Sequence, residues 1–281
     1  MKRPFHDEPR GSIVRRRVVT ISRSLALFVL MTALLPLLLI GGLAVDALRW
    51  IATRRPWMSV RMISFGWAFL ATEVVGLAWL FGGWVAAAFG SNWDRLVALT
   101  WPVQRWWART LFASVRRLFR IELTVDGHDV TVPGPILAMF RHASIVDNLL
   151  PAVLLTDAKQ VRLRWIVKRE LLALPSLDVA GTRLPNYFVD RRSSDPREEI
   201  RAIRRLGAEL ATNEGVLIYP EGTRFTEDRR TRALESLSDR MPTLFERASR
   251  LRYVLPPRVG GSLALLDGRT DIVVCAHEGL D

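Results

Sequence analysis

Hydrophobic residues follow two different patterns along the chain. Residues 25–45 contain no charged side chain, and residues 62–89 contain one ionisable residue, Glu73. Each stretch is long enough to cross the hydrocarbon core of a bilayer as a helix. From residue 121 onwards, short apolar runs alternate with polar stretches of helical character. The pattern therefore predicts two membrane-embedded helices within residues 25–90, followed by a domain of different architecture.

The alternation after residue 120 predicts an α/β domain over residues 121–281. The strand candidates are residues 121–125, 136–140, 164–167, 187–189, 216–219, 253–255 and 272–275. Helix candidates include residues 145–156 and 196–212, the second with Asp195 as N-cap and Pro196 at the first helical position. Strands that alternate with helices favour a mostly parallel sheet flanked by helices. Ligands of such sheets gather at the carboxyl ends of the strands.

Charge is distributed unevenly on the two sides of residue 120. Residues 1–120 hold 17 Lys and Arg and five Asp and Glu, a net charge of +12, whereas residues 121–281 hold 23 of each kind. The basic excess therefore flanks the apolar stretches, which is typical of segments that contact anionic lipid head groups. A nucleic-acid-binding protein is expected to carry its basic patch on the folded domain, so the charge pattern argues against nucleic acid as a partner.

The region before residue 121 divides into three segments. Residues 1–24 form a basic tail, residues 25–90 hold the two membrane helices, and residues 91–120 combine Trp with Arg. The last segment is predicted to be an amphipathic helix in the head-group zone, with a core-packing connector as the alternative. Seven basic residues in 1–24 and six in 92–120, against four in the loop 46–61, favour a cell-membrane protein whose main domain is cytoplasmic. A hairpin that enters and leaves one leaflet remains open.

Glu73 is the one ionisable residue of the second apolar stretch. A carboxyl group is costly in hydrocarbon and often indicates function. Glu73 is expected either to be protonated or to face the first helix near the loop arginines. A helix-pairing role is favoured over a catalytic one.

The stretch 136–147, ILAMFRHASIVD, is typical of a buried strand that ends, turns and opens a helix. With Ser144 as N-cap, Asp147 occupies the third helical position and points back toward His142 at the turn. An imidazole beside a carboxylate is a general base whose tautomer the carboxylate fixes. The alternative is that Asp147 only caps a helix and His142 is an ordinary turn residue. The other histidines, His6, His128 and His277, are interpreted as turn or surface residues.

A second motif follows the predicted strand 216–219 and reads PEGTR, from Pro220 to Arg224. Gly222 lacks a Cβ and lets an anion approach the backbone. Thr223 offers a hydroxyl, and Arg224 a guanidinium that matches a phosphate bidentately. The alternative is a plain turn with Arg224 on the surface.

Together these motifs resemble the glycerophospholipid acyltransferase family, the 1-acylglycerol-3-phosphate acyltransferases and their lysophospholipid relatives. The resemblance covers roughly residues 120–260. The family's motif of histidine, four residues and aspartate matches His142 and Asp147, although the family usually has Asn where this chain has Arg141. The PEGTR motif matches in full. A third block from Lys168 to Arg191 resembles the family's substrate-binding segment, and residues 254–258, VLPPR, resemble a fourth block.

The resemblance implies a membrane-bound O-acyltransferase of phospholipid biosynthesis or remodelling. Its acyl donor is acyl-CoA or acyl carrier protein, and its acceptor is the free hydroxyl of 1-acylglycerol-3-phosphate or a related lysophospholipid. A thiolate is a good leaving group, so no cofactor, metal or covalent acyl-enzyme is expected. Glycerol-3-phosphate as acceptor, a lipid hydrolase and a non-catalytic membrane lipid-binding protein are the alternatives.

The resemblance also assigns roles to single residues. His142 is the expected base and Asp147 the group that orients it. Acceptor binding is expected of Glu221, Gly222, Thr223 and Arg224, with Lys168 and Arg191 as further anion contacts. Glu221 is expected to orient either Arg224 or the loop.

Overall fold

A computed structural model of the chain describes residues 8–127, 134–190, 195–266 and 270–280. These residues form two compact units. The helical unit contains the described residues up to Asp126 together with Arg169–Pro185. The sheet unit contains the described residues of Gly127–Lys168 and Asn186–Asp281. Arg169–Pro185 lies within the predicted 121–281 domain along the chain, but it packs with the N-terminal helices.

The helical unit is built from four α-helices and one short 3₁₀-helix. In chain order they are α1 (Arg10–Thr53), α2 (Ser59–Ala86), α3 (Trp93–Phe119), the 3₁₀-helix Arg169–Ala173 and α4 (Pro175–Arg183). Helix α1 begins at Arg10, so residues 10–24 of the predicted basic tail belong to the helix that continues into the first apolar stretch. Two of its basic residues contact α4: the guanidinium of Arg16 donates to Asp178 at 2.9 Å, and that of Arg17 donates to Thr182 at 2.8 Å.

Helices α1 and α2 form a hairpin whose turn is held by Asp46. The carboxylate of Asp46 accepts hydrogen bonds from the backbone N–H groups of Met58, Ser59 and Val60, at 3.0 to 3.2 Å. It thereby satisfies the free N–H groups at the start of α2. Both helices are long and apolar enough to cross a membrane, and 6% of the most apolar window of α1 is buried. Because a core helix would be mostly covered, this low burial suggests membrane association.

Helix α3 has one face packed inside the helical unit. Leu96, Val97, Leu111, Phe112 and Val115 are buried along that face. The ring of Trp101 is also buried, in a cluster with Val97 and Leu184. Helix α3 thus packs as a connector, the alternative weighed from the sequence; its place in the head-group zone stays a prediction.

The sheet unit contains a five-stranded parallel sheet. The strands are β1 (Ile136–Phe140), β2 (Arg162–Lys168), β3 (Tyr187–Val189), β4 (Glu214–Ile218) and β5 (Asp271–Cys275), in the spatial order β3-β2-β4-β1-β5. All four pairings are parallel. Every residue of β4 is buried, as is expected of a central strand covered on both faces. The predicted α/β fold with a mostly parallel sheet and two preceding apolar helices is confirmed.

Two predicted strands, 121–125 and 253–255, are not strands. The N–H of Ile121 closes the end of α3 by donating to Arg116. The carbonyl of Tyr253 accepts the guanidinium of Arg141 instead of a ladder partner. Short apolar runs carry too little information to separate strands from such segments.

The described part of the sheet unit contains four α-helices. They are α5 (Pro196–Gly207), α6 (Glu227–Arg240), α7 (Pro242–Ala248) and α8 (Val259–Leu265). Only α5 was predicted, and it ends before the predicted residue 212. The predicted N-cap of α5 is confirmed, since the side chain of Asp195 accepts from the N–H groups of residues 197 and 198. The predicted helix 145–156 is instead a 3₁₀-helix, Val146–Leu149, followed by a π-helix, Ala152–Asp157.

Candidate active site

Both sequence motifs lie at the carboxyl edge of the sheet. His142 follows the end of β1, and the PEGTR segment follows the end of β4. These strands are neighbours, with Met139 opposite Ile218, so the two motifs leave the sheet side by side. Polar groups that converge at this edge are positioned by rigid strands, which is where parallel sheets bind ligands.

His142 and Asp147 form a buried pair. Nδ1 of His142 lies 3.0 Å from Oδ1 of Asp147, and the Asp147 side chain has no exposed surface. The other oxygen, Oδ2, accepts from the backbone N–H groups of Ala143 at 2.6 Å and Ser144 at 2.7 Å. The carboxylate therefore reaches back over the start of its own turn, which is the direction that the spacing predicts.

The surroundings of Asp147 keep its carboxylate ionised. Burial raises the pKa of Asp147, but the hydrogen bonds from His142 and the Ser144 backbone, together with the nearby His277 ring, outweigh burial and hold the pKa well below its ordinary value. An ionised Asp147 accepts the Nδ1–H of His142, which leaves Nε2 as the basic nitrogen of the ring. No described residue hydrogen-bonds to that Nε2.

Two residues of the site, Tyr219 and His277, were not predicted from the sequence. The ring of Tyr219 lies against the ring of His142 with centroids 4.6 Å apart, and its hydroxyl donates to the Asp147 carbonyl at 3.3 Å. Burial raises the pKa of Tyr219 well above its ordinary value, so it remains a neutral donor. Nε2 of His277 lies 3.2 Å from the Arg141 carbonyl and 3.6 Å from Oδ2 of Asp147. The interpretation of His277 as a turn or surface residue is wrong, because its side chain is only 10% exposed.

Arg141 binds the segments around the site to one another. Its guanidinium donates to the carbonyls of Tyr253 and His277. Its backbone N–H donates to Cys275 at the end of β5. Arg141 thus holds the segment that carries His277 beside the end of β1.

Glu221 connects the PEGTR segment to His142. Its Oε1 accepts the backbone N–H of His142 and its Oε2 the backbone N–H of Leu255, both at 2.8 Å. The N–H of Phe225 also donates to the His142 carbonyl, at 2.8 Å. Of the two roles expected for Glu221, this geometry favours holding the loop.

Gly222 adopts a turn that other residues rarely adopt. Its φ is +67°, and its N–H donates to the Tyr219 carbonyl at 2.9 Å. A Cβ built on Gly222 would lie 2.7 Å from Cδ of Arg258, so the Arg258 side chain fills the space that the missing Cβ leaves. The glycine therefore serves the turn and the approach of Arg258.

Several basic residues lie at this end of the sheet. The Arg224 side chain is exposed and makes no hydrogen bond or ion pair with any described residue. Arg229, Arg232 and Arg258 line a cavity of about 450 Å³ together with Thr223. Lys168 ends β2, three residues after Trp165, which pairs with Leu217, so it reaches the same sheet edge. Arg191 lies outside the described residues.

A family model described as Acyltransferase matches residues 122–276, more than half of the chain. The chain belongs to the glycerophospholipid acyltransferase family. The match supports general O-acyltransferase activity, and the matched part of this acyltransferase contains the His142–Asp147 pair and the PEGTR segment. Comparisons with curated proteins and with solved structures found no match.

Proposed function

We propose that this acyltransferase moves a fatty acyl group from an acyl thioester to the free hydroxyl of 1-acylglycerol-3-phosphate or a related lysophospholipid. The observation that carries the proposal is the buried Asp147 carboxylate bound to Nδ1 of His142 at the carboxyl edge of the sheet. It supports a base whose accepting nitrogen, Nε2, is directed away from its partner. The donor is acyl-CoA or acyl carrier protein, and no metal or other cofactor takes part.

The chemistry starts at the acceptor hydroxyl. An alcohol is a weak nucleophile at neutral pH, so a base within hydrogen-bond distance must take its proton as it attacks. Nε2 of His142 takes that proton while the hydroxyl oxygen bonds to the thioester carbonyl carbon. Asp147 stabilises the imidazolium that results. The C–S bond then breaks, and the thiolate leaves with the proton that His142 returns.

The acceptor phosphate is proposed to bind the PEGTR loop. Arg224 is exposed and carries no competing ion pair among the described residues, so its guanidinium is available to an anion. Glu221 supports this role indirectly, because it joins the loop to the His142 backbone. A phosphate held by Arg224 and Thr223 would therefore keep a fixed position relative to the base, which reduces the entropy cost of the attack. Lys168 and Arg191 are proposed as additional anion contacts.

The two apolar helices support a position at the membrane where lysophospholipids reside. The distribution of basic residues further supports a cell-membrane enzyme whose sheet unit lies on the cytoplasmic face, in phospholipid biosynthesis or remodelling. A membrane-held enzyme receives its lipid acceptor from the bilayer and its thioester donor from solution.

The test is thiol release from acyl-CoA or acyl carrier protein by the full-length protein in detergent, with and without 1-acylglycerol-3-phosphate. The wild type is expected to release thiol only when the acceptor is present. His142→Ala is expected to abolish turnover, and Asp147→Asn to lower kcat by about 10²- to 10⁴-fold, the range that a general base and its orienting carboxylate contribute. Thermal unfolding of each variant checks that the fold persists.

Ser144→Ala is the matched control within the same turn. The Ser144 hydroxyl accepts from the N–H of Val146 at 3.0 Å, so it holds the turn and is not needed as a nucleophile. Its removal is expected to leave kcat within about threefold. Thiol release without acceptor would instead identify a hydrolase. The protein would instead be a non-catalytic lipid-binding protein if it binds lysophospholipid but shows no turnover. That absence of turnover would have to hold with either donor, and with glycerol-3-phosphate as the acceptor as well.

A further inference from the structure

The helical unit contains a cavity of about 880 Å³ between α1, α2, α4 and the start of α3. All of its lining residues belong to the helical unit. Its volume is within the range of sites that bind small molecules and cofactors. The proposed acyl transfer uses none of its residues.

Most of the cavity wall is apolar. Leu25, Leu77, Phe81, Trp84 and Trp93 contribute large hydrophobic side chains to it. Aromatic and aliphatic walls of this kind favour a hydrocarbon chain over a polar ligand.

One part of the wall carries excess positive charge. Arg16, Arg17 and Arg183 line the cavity with one acidic residue, Glu8. Arg16 is fully engaged, since it donates to Glu8 at 2.6 Å and to Asp178 at 2.9 Å. Arg17 has a longer ion pair, with its guanidinium 3.5 Å from Oδ1 of Asp178. Arg183 therefore offers the guanidinium without an ion pair among the described residues, and Arg17 lies beside it.

Neither Arg17 nor Arg183 is fully satisfied by the described part of the chain. Nε of Arg17 is buried and has no hydrogen-bond partner there. Arg183 donates to the Leu80 carbonyl at 2.9 Å but has no ion pair within the same residues. Burial, together with the charge of Arg17, lowers the pKa of Arg183 to about 10. Because Arg183 is partly buried and has no ion pair among the described residues, an anion bound beside it would offset the cost of its desolvation.

The cavity also lies beside the part of α1 where basic residues are followed by uncharged apolar residues. Its α1 residues run from Ile13 to Leu25, so they extend from the basic part of the helix, residues 10–23, to the first residue of the uncharged run 25–45. In a helix that crosses a bilayer, this is the level of the lipid head groups.

We propose that this cavity binds an anionic phospholipid of the surrounding membrane. Its phosphate pairs with Arg17 and Arg183, and an acyl chain lies along Leu77, Phe81 and Trp84. The bound lipid neutralises the excess guanidinium and fills the apolar space, so it stabilises the packing of α1 and α4. The site is separate from the catalytic pair and does not depend on the proposed acyl transfer.

Native mass spectrometry of the full-length protein in detergent tests the site. Phosphatidylglycerol and phosphatidylcholine with identical acyl chains are added in equal amounts, and the lipid retained by the protein is measured. Wild type is expected to retain phosphatidylglycerol about tenfold better, since charge-assisted hydrogen bonds distinguish the anionic head group. Arg183→Gln is expected to bring this preference close to one, whereas Arg95→Gln, an exposed arginine outside the cavity, preserves it.

A second variant tests the apolar part without touching the arginines. Ala78 lines the cavity, so Ala78→Trp is expected to reduce retention of both lipids by about tenfold. Val75→Trp adds the same bulk at a position on α2 that is 51% exposed and outside the cavity, and it is expected to have no effect. Equal retention of the two lipids by wild type would overturn the proposal. So would an Ala78→Trp variant that retains phosphatidylglycerol as wild type does.

Discussion

Nε2 of His277 lies 3.6 Å from Oδ2 of Asp147, on the carboxylate oxygen that does not face His142. Asp147 therefore lies between two imidazole rings, one of which is proposed to take the proton. The second ring belongs to the segment after β5, which Arg141 holds in place. Its position indicates that His277 supports the charge and orientation of Asp147.

His277→Ala is expected to lower kcat by about tenfold, because Asp147 loses a polar group beside its second oxygen and the Arg141 carbonyl loses its contact with the ring, with the acceptor KM unchanged. His277→Gln is expected to recover most of the activity, because its amide N–H can donate near the position of Nε2. Steady-state kinetics with purified protein give both constants. A fall in thermal stability without any change in kcat would limit His277 to a structural role.

The lowered pKa of Asp147 makes the stability of the fold depend on pH. Its folded pKa is lowered, so the carboxylate stabilises the fold above its unfolded pKa, about 3.9, and this contribution is lost as the pH falls toward the folded pKa. The difference in melting temperature between wild type and Asp147→Asn is thus expected to be largest near pH 6 and to shrink below about pH 4. Thermal unfolding across this range measures it. A difference that stays constant with pH would contradict the lowered pKa.

Arg224→Ala is expected to raise the acceptor KM by about 10- to 100-fold with a smaller change in kcat, because it removes a charge-assisted contact with the phosphate. Arg224→Lys keeps the charge but loses the bidentate geometry, so an intermediate KM is expected. Arg247→Ala, which removes an exposed arginine from α7, serves as the control. An unchanged KM in Arg224→Ala would locate the phosphate elsewhere.

Glu221→Ala is expected to destabilise the sheet unit by about 2–4 kcal/mol, because it leaves the N–H groups of His142 and Leu255 without acceptors. The loop would also lose its connection to His142, so kcat is expected to fall. Glu221→Gln retains one acceptor oxygen, so it should lose less stability and less kcat than Glu221→Ala. Chemical denaturation and kinetics measure the two effects, and full stability in Glu221→Ala would refute the positioning role.

Glu73 joins three helices of the helical unit. One carboxylate oxygen accepts the indole N–H of Trp107 at 2.7 Å, and the other accepts the backbone N–H of Ser176 at 3.1 Å. The helix-pairing interpretation is thus confirmed. The partners are α3 and α4, and not the first helix near the loop arginines, which was one of the two alternatives considered.

Glu73→Ala is expected to lower the stability of the protein by about 2–4 kcal/mol while kcat per folded molecule stays unchanged. Glu122→Ala removes an exposed carboxylate just after α3 and should alter neither quantity. Thermal unfolding in detergent measures the effect on stability, and activity normalised to folded protein measures the effect on kcat. Loss of kcat at full stability would assign Glu73 a catalytic role.

The sequence predicted the His142–Asp147 contact because the two residues belong to one turn. A five-residue spacing across a strand end constrains the geometry strongly, whatever the rest of the chain does. The details of the turn differ, since Ser144 accepts from Val146 at the start of a 3₁₀-helix and not of an α-helix. The direction of the Asp147 side chain survives this change because the carboxylate is bound to the N–H groups of Ala143 and Ser144.

The contacts of Glu221, Tyr219 and His277 could not be predicted from the sequence. Each contacts a residue more than 70 positions away in the chain. No spacing rule connects such residues, because their distance depends on strand order and register. The attachment of Arg169–Pro185 to the N-terminal helices is of the same kind, since it depends on guanidinium and carboxylate groups meeting across the fold.

By itself, the sequence determined the two long apolar helices, the parallel α/β fold and the two motifs at the strand ends. These features arise from local hydrophobic periodicity and from turn chemistry, which act over a few residues. Only the tertiary structure decided that Asp147 lies between two histidines, that Glu221 binds the His142 backbone, and that Arg17 and Arg183 meet beside an apolar cavity. Those relationships arise from long-range packing, in which buried polar groups take whichever partners the assembled strands and helices bring within reach.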